Sequence, residues 1–483
     1  MRDLRTWIQD MDAAGLLREV RGADWDLEIG AITDLNAKAA KWALLFDEIR
    51  GYPAGYRILT GAVLDARRVS YALGADTGAD EAALVAALRG RLYREGGELA
   101  RVPPREVADA PMFEHRHRGE AVDLLGLPAP RWHEHDGGRY LGTFDAVITR
   151  DPEEGWVNLG AYRLMVHSAN RLCLFVNASH HARLHMEKYA RRGEAVPVAV
   201  SLGHDPALSM LAGMEVPTGV SELEAIGGLR DEPVEVVPGP VTGLPLPVGS
   251  ECVVEGFLSD ETVQEGPFGE FLGYYAGGKM TTPTIEVAAL YHRGDPILLG
   301  ICSGIPPYDY SYFRCPLRAA MLWEQMDRAG VPGVAGVWCH EAGYSRALNV
   351  VAIDQQYQGH AQQAGMVASQ ARAGAFGGKY TIVVDDDVDP ANLEEVMWAV
   401  CTRTDPASSI EFLRSSWGMA LDPMVVRGPD DALNELSMSR AVIDACRPLK
   451  RAARGDWPAV VRPPAAVADR VRARFGELFE AGR

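Results

Sequence analysis

The chain has 483 residues, of which 47% are hydrophobic and 24% charged, enough to bury a large core without disulfide or metal staples. Its 48 Lys+Arg against 66 Asp+Glu leave a formal net charge of −18, which repels phosphate backbones and excludes general nucleic-acid binding. Seven widely spaced cysteines with no C-x-x-C, no apolar signal core at the start and no membrane-length apolar run predict a cytoplasmic protein with buried, reduced thiols.

Taken in chain order, Leu4, Trp7, Ile8, Met11, Leu16 and Leu17 have helical spacing, with Gly15 near the stop. Strands are expected at 43–46 and 57–60. Leu84, Leu88 and Leu92 predict a helix over 81–99, and the Pro-rich stretch 103–111 reads as a linker. Residues 1–110 thus form a small α+β domain. Short β-rich runs follow at 144–149, 172–177, 196–202, 234–237, 252–257, 284–291 and 297–301, punctuated by Gly and Pro, so 111–312 reads as a barrel or sandwich. From 313 to 483 helices and strands alternate, as in an α/β domain. There, strand 380–384 leads to a helix from about Ala391 to Thr402, with Asp389 as N-cap and Pro390 as first helical residue. The stretch 440–483 carries ten Lys/Arg against five Asp/Glu, read as a solvated helix face or an oligomer contact. A terminal helix after Pro463-Pro464 bears one apolar stripe, Val467, Val471, Phe475 and Leu478, which requires a docking partner.

Standard motifs mostly fail. Gly273-x-x-x-x-Gly278-Lys279 lacks the Ser/Thr of a phosphate loop, because Met280 follows. The close pairs His115/His117 and His133/His135 read as surface turns. More informative is Glu265-Gly-Pro-Phe-Gly-Glu270-Phe271, where a Gly-Pro-x-Gly turn separates two carboxylates. In one dry site two such groups take unequal pKa values, one protonated and one ionised beside a cation. Three further segments are Asn158-Leu-Gly-Ala-Tyr-Arg163, His180-His181 and Ser221-Glu222. Asn, His and Glu together suit Mn²⁺ or Mg²⁺, although singly each also reads as a turn, a half-buried ring or a helix cap.

In this order, these segments resemble the UbiD family of prenylated-FMN-dependent (de)carboxylases, in its aromatic and heteroaromatic acid branch. The resemblance is clearest over 140–310 and again at 378–390. It implies a small N-terminal α+β domain, a central flavin-binding split β-barrel and a C-terminal α/β domain that drives homo-oligomerisation. It places Arg163, Glu265 and Glu270 as the catalytic Glu–Arg–Glu trio, with Glu270 returning a proton to the substrate carbon. Asn158, His181 and Glu222 match the ligands of a divalent ion, Mn²⁺ or Mg²⁺, that clamps the flavin phosphate. A K⁺ site on backbone oxygens is implied near 211–214. Lys379 matches a phosphate contact, and Thr143, Ala161, Tyr162 and His180 fall where the flavin is lined. His180 departs from the family's Gln or Lys, so its role stays open.

The implied reaction is reversible, non-oxidative decarboxylation of an aromatic, heteroaromatic or conjugated α,β-unsaturated acid through a covalent adduct with prenylated FMN, supplied by a flavin prenyltransferase. Phe268 and Phe271 would supply an apolar setting for Glu270, and Tyr308, Tyr310, Tyr312 and Arg314 are candidates to bond a ring substituent. Two other readings remain at this point: an ordinary FMN oxidoreductase on a split barrel, and a catalytically inactive flavin- or metal-binding assembly protein.

Overall fold

A computed structural model describes residues 2–176, 180–425, 435–476 and 478. The first helix, Leu4–Ala13, is capped by Asp3, whose carboxylate accepts the Thr6 N–H at 2.8 Å. Gly15, at φ +72°, turns the chain, so Leu17 opens a strand, Leu17–Arg21, instead of extending the helix as expected. A further helix, Glu28–Ala39, carried no clear sequence signal. The expected strands appear as Ala43–Asp47 and Arg57–Thr60, and the helix expected over 81–99 spans Glu81–Leu92 only. These strands form a four-stranded sheet whose outer member is Ile297–Leu299, parallel to Arg57–Thr60. A strand from the central region is therefore stitched into the N-terminal sheet.

The central sheet has nine strands and curls into a half barrel. Its middle is a long antiparallel pair, Cys252–Glu265 and Met280–His292. The first member runs well past the expected end at residue 257. The ladder passes Leu258/Thr262 with a shift in register, so the pairing resumes and carries Glu265 to the end of the strand. Val157–Gly160 and Leu164–Ser168 are further strands that the alternation in sequence did not disclose. The expected strand at 172–177 is Arg171–Leu174, and Asn177 lies outside the described residues.

The last region is a five-stranded mixed sheet in the order Val334–Cys339, Leu348–Ile353, Tyr380–Asp385, Ser437–Ala445, Ile410–Trp417. Alternate side chains of its central strands face opposite ways. Val350, Ala352, Ile382 and Val384 pack with Val396 and Ala399 of the helix Leu393–Arg403, whereas Val351, Ile353 and Val383 join the main core with Ala361, Ala364 and Ala368 of His360–Gln370. The cap of Leu393–Arg403 is Asn392, which accepts the N–H groups of Glu394 and Glu395, and not Asp389 as expected. Asp389 instead closes the preceding turn by accepting the Ala391 N–H. The terminal helix is Ala465–Phe475, and Val467, Val471, Phe475 and Leu478 are all exposed. Six cysteines are buried as expected; Cys401 is exposed. Among the described residues no helix is long and apolar enough to cross a membrane.

Candidate active site

Arg163 leaves the strand Val157–Gly160 in the short connection to Leu164–Ser168, while Glu265 closes Cys252–Glu265. The half barrel brings them together across 102 residues. Arg163 Nε donates to Glu265 Oε1 at 3.0 Å and Nη2 to Oε2 at 2.8 Å, and Nη1 donates to Glu270 Oε1. One planar guanidinium thus bridges both carboxylates. All three side chains are buried, Glu265 completely. Phe175 and Phe268 stack against the guanidinium at 4.2 and 5.3 Å. Burial pushes the Glu270 carboxyl pKa up, opposed by Arg163 and reinforced by Glu265 and Asp136. Burial works against the Arg163 charge as well, but Glu270 and Glu265 outweigh it and raise its pKa.

The second group of expected residues lies on adjoining elements. Asn158 is buried on the strand Val157–Gly160, and Glu222 is the first residue of the helix Glu222–Arg230. Glu222 Oε2 accepts the Leu159 N–H at 2.6 Å, placing the carboxyl beside Asn158. The Tyr162 hydroxyl faces both Asn158 and the N–H of Ala182, directly after His181. His181 Nε2 lies 3.1 Å from Thr218 Oγ1, in the turn leading to Glu222. The strand that carries Asn158 is thus bonded to Glu222, and His181 reaches the turn that leads to Glu222.

Two observations suit a cation there. Asn158 is buried, and its amide oxygen is the kind of donor such ions take. Glu222 is buried with only backbone amides for partners, and burial pushes its pKa up to about 8. Among the described residues no three His, Cys, Asp or Glu side chains gather to hold an ion; the set here takes its third donor from an asparagine. Burial, with Arg372, also pushes the pKa of His181 down, which favours the neutral ring that a metal takes.

The remaining expected residues separate into those at this cleft and those committed elsewhere. His180 lies tilted against Tyr162 at 5.4 Å, and desolvation by its neighbours, with Arg346, pushes its imidazole pKa down. Ala161 N–H donates to Ala212 O, joining this strand to 211–214. Thr143 Oγ1 accepts the Ile301 N–H at 2.9 Å. Lys379 is turned to Asp422, with Nζ 2.7 Å from Oδ2. Of the four expected ring-substituent donors, Tyr308 and Tyr312 are buried and spent on the fold: Tyr308 donates to Phe271 O at 2.6 Å and Tyr312 to Glu81 Oε1 at 2.5 Å. The buried Arg314 bonds Tyr310 Oη at 2.6 Å and the Gly213 carbonyl.

Several participants were not legible in the sequence. Arg318 and Arg346 pair with Glu215, beside the Arg314 already singled out in the sequence. This leaves surplus positive charge near His180, where an anion would be welcome. His133, expected in a surface turn, places Nε2 2.5 Å from Ser303 O and packs against Gly269. His115 and His117 lie against His292, and only His115 is exposed.

Family models match in three consecutive pieces: the N-terminal domain of 3-octaprenyl-4-hydroxybenzoate carboxy-lyase at 8–88, its Rift-related domain at 105–306 and its C-terminal domain at 311–445. The chain belongs to the UbiD family. It is 35% identical over 363 residues to the phenolic acid decarboxylase of a Streptomyces species, covering 74% of each chain. It is 34% identical over 421 residues to the pyrrole-2-carboxylic acid decarboxylase of Pseudomonas aeruginosa, covering 84% of this chain and 83% of that one. The UbiD-class enzyme HmfF of Pelotomaculum thermopropionicum, in complex with FMN, superposes with a TM-score of 0.84 at 28% identity, covering 97% of this chain and all of the other. An evolved dimeric form of HmfF in complex with prFMN gives a TM-score of 0.80 at 27% identity over 96% and 97% of the two chains. This UbiD-family chain is therefore a carboxy-lyase homologue over nearly its whole length, and the half barrel is the part matched by the Rift-related model.

Proposed function

We propose that this protein is a non-oxidative decarboxylase of aromatic, heteroaromatic or other conjugated acids that works with prenylated FMN. The observation that carries the reading is the buried bridge Glu265–Arg163–Glu270. When bound, the modified flavin supplies an electron sink for the carbon that loses CO₂. Glu270 holds the proton that replaces CO₂, and its burial beside Phe268 favours the protonated form. Arg163 keeps Glu265 paired and orients the substrate carboxylate. Asn158, His181 and Glu222 hold Mn²⁺ or Mg²⁺, and the carbonyls around 211–214 hold K⁺. The arginines around Glu215 furnish positive charge for the cofactor phosphate, which Lys379 would reach only by leaving Asp422, while Thr143, Ala161, Tyr162 and His180 line the flavin. The exposed stripe on the terminal helix, Val467, Val471 and Phe475, supports assembly with further copies of the chain.

The test is expression together with a flavin prenyltransferase, followed by CO₂ release measured across aromatic, heteroaromatic, conjugated and saturated acids. Turnover confined to the unsaturated acids is expected, as is loss of turnover with retained flavin in Glu270→Gln. Turnover of saturated acids alone, or near-normal turnover in the variant, would refute the reading.

A further inference from the structure

The segment Gly266–Glu270 belongs to no helix or strand, yet it must hold two buried carboxylates against one guanidinium. Its order comes from the turn at 136–139 and from Tyr140, which opens the strand Tyr140–Gly142. Asp136 is buried, and its Oδ1 accepts the Gly269 N–H at 2.9 Å while Oδ2 accepts the His133 N–H at 3.0 Å. Gly137 N–H donates to Pro267 O at 2.8 Å. A side chain could not replace Gly137, because a Cβ there would lie 2.0 Å from Gly266 O. Tyr140 is completely buried, packs its ring at a tilt against Phe268 with centroids 4.5 Å apart, and donates its hydroxyl to Glu265 Oε1 at 2.7 Å. Each end of the acid-bearing segment is thereby gripped by Asp136, Gly137 and Tyr140.

From these contacts we infer that Asp136 and Tyr140 are positioning residues for the acid pair: Tyr140 fixes the Glu265 carboxylate, and Asp136 fixes the backbone that aims Glu270 while setting a negative charge near it. The inference rests on the decarboxylase reading for its kinetic consequences but not for its structural ones. The groups facing Glu270 are Arg163 from the connection after Val157–Gly160, Glu265 from the central strand, Asp136 from the 136–139 turn and Tyr308 before the helix Asp309–Tyr312. Asp136 accepts backbone N–H groups from Gly269 and His133, and His133 and Arg131 also act on its charge.

Two isosteric variants separate shape from charge. Tyr140→Phe keeps the ring on Phe268 and removes only the hydrogen bond to Glu265. It is expected to lower kcat about tenfold or more with KM and flavin content little changed, since small misplacements of reacting groups are costly. Asp136→Asn keeps an acceptor for the Gly269 N–H, removes the charge and gives up the hydrogen bond from the His133 N–H. It is expected to move the high-pH limb of the pH–rate profile to lower pH, because Glu270 then gives up its proton more readily. Hydrogen–deuterium exchange of the 266–270 amides in Asp136→Ala, compared with wild type, gives a readout that needs no turnover, and about tenfold faster exchange with an unchanged melting midpoint is expected. Unchanged exchange, together with kcat and pH limb unmoved in the isosteres, would overturn the inference. If the wild-type enzyme released no CO₂ from any acid, the functional reading would fail, and the exchange result alone would decide this one. Should Asp136→Ala not fold, Asp136→Asn and Tyr140→Phe carry the exchange measurement.

Discussion

Glu222 and Leu159 meet through a single 2.6 Å hydrogen bond from a strand amide to a helix-opening carboxyl. That contact sets the acidic side chain beside Asn158 and orders the second half of the site. A buried carboxyl held only by amides is electrostatically incomplete, and the proposed divalent ion would complete it. Glu222→Gln should keep the Leu159 bond while weakening ion retention about 10–100-fold, the range for altered metal surroundings. Metal analysis and flavin retention after gel filtration of the co-expressed protein check it, and a chelator applied to wild type should release flavin in the same way.

Arg163→Lys preserves charge but cannot form three hydrogen bonds from one plane. Two buried acids would then share one point charge. Decarboxylation is expected to fall by about 100-fold or more, with KM affected less than kcat, as steady-state assays on the fully loaded variant would reveal.

The raised pKa of Glu270 dictates the sign of the pH dependence. The group must carry a proton to return one, so the rate should hold below its pKa and decline as pH rises through it. In Glu270→Gln the residual rate, reduced by at least about 100-fold, should lose that decline. Rate profiles of both proteins across the acid-to-alkaline range provide the comparison.

Asp145 is fully buried with no charged partner, and burial pushes its pKa up to about 8, against the opposing pull of its own and the Tyr162 amides. Its folded pKa exceeds its unfolded one, so the native state binds the proton more tightly. The linked stability is complete below the unfolded value of 3.8 and is lost progressively as pH rises toward about 8. Asp145→Asn should flatten that decline and be the more stable protein on the alkaline side, as denaturant midpoints measured against pH would show.

The apolar stripe of the terminal helix lies open in the single chain, with Phe475 42% and Val471 36% exposed. Val471→Asp with Phe475→Asp should reduce the native mass to that of a smaller assembly, measured by light scattering, and leave the melting of the core sheets nearly unchanged.

By itself the sequence determined the family, the order of the chemical groups and most of the short strands, because these are local. The Gly-Pro-x-Gly turn between Glu265 and Glu270 and the Asn158–Arg163 spacing are readable along the chain, as are the apolar runs at 43–46 and 380–384. Helix ends were less legible: the competition between Asp389 and Asn392 as cap is settled by packing of Val396 and Ala399 on the sheet, not by residue preference. Only the tertiary structure decided which groups meet. Tyr312 had the look of a ligand donor, but the fold sends its hydroxyl to Glu81, and Lys379 is turned to Asp422. Asp136 and Tyr140 carried no signal beyond an Asp-Gly-Gly-Arg-Tyr run, since their partners lie more than a hundred residues away. Long-range pairing depends on how the nine strands curl and register, and no local pattern encodes which distant carboxylate a buried guanidinium or hydroxyl will face.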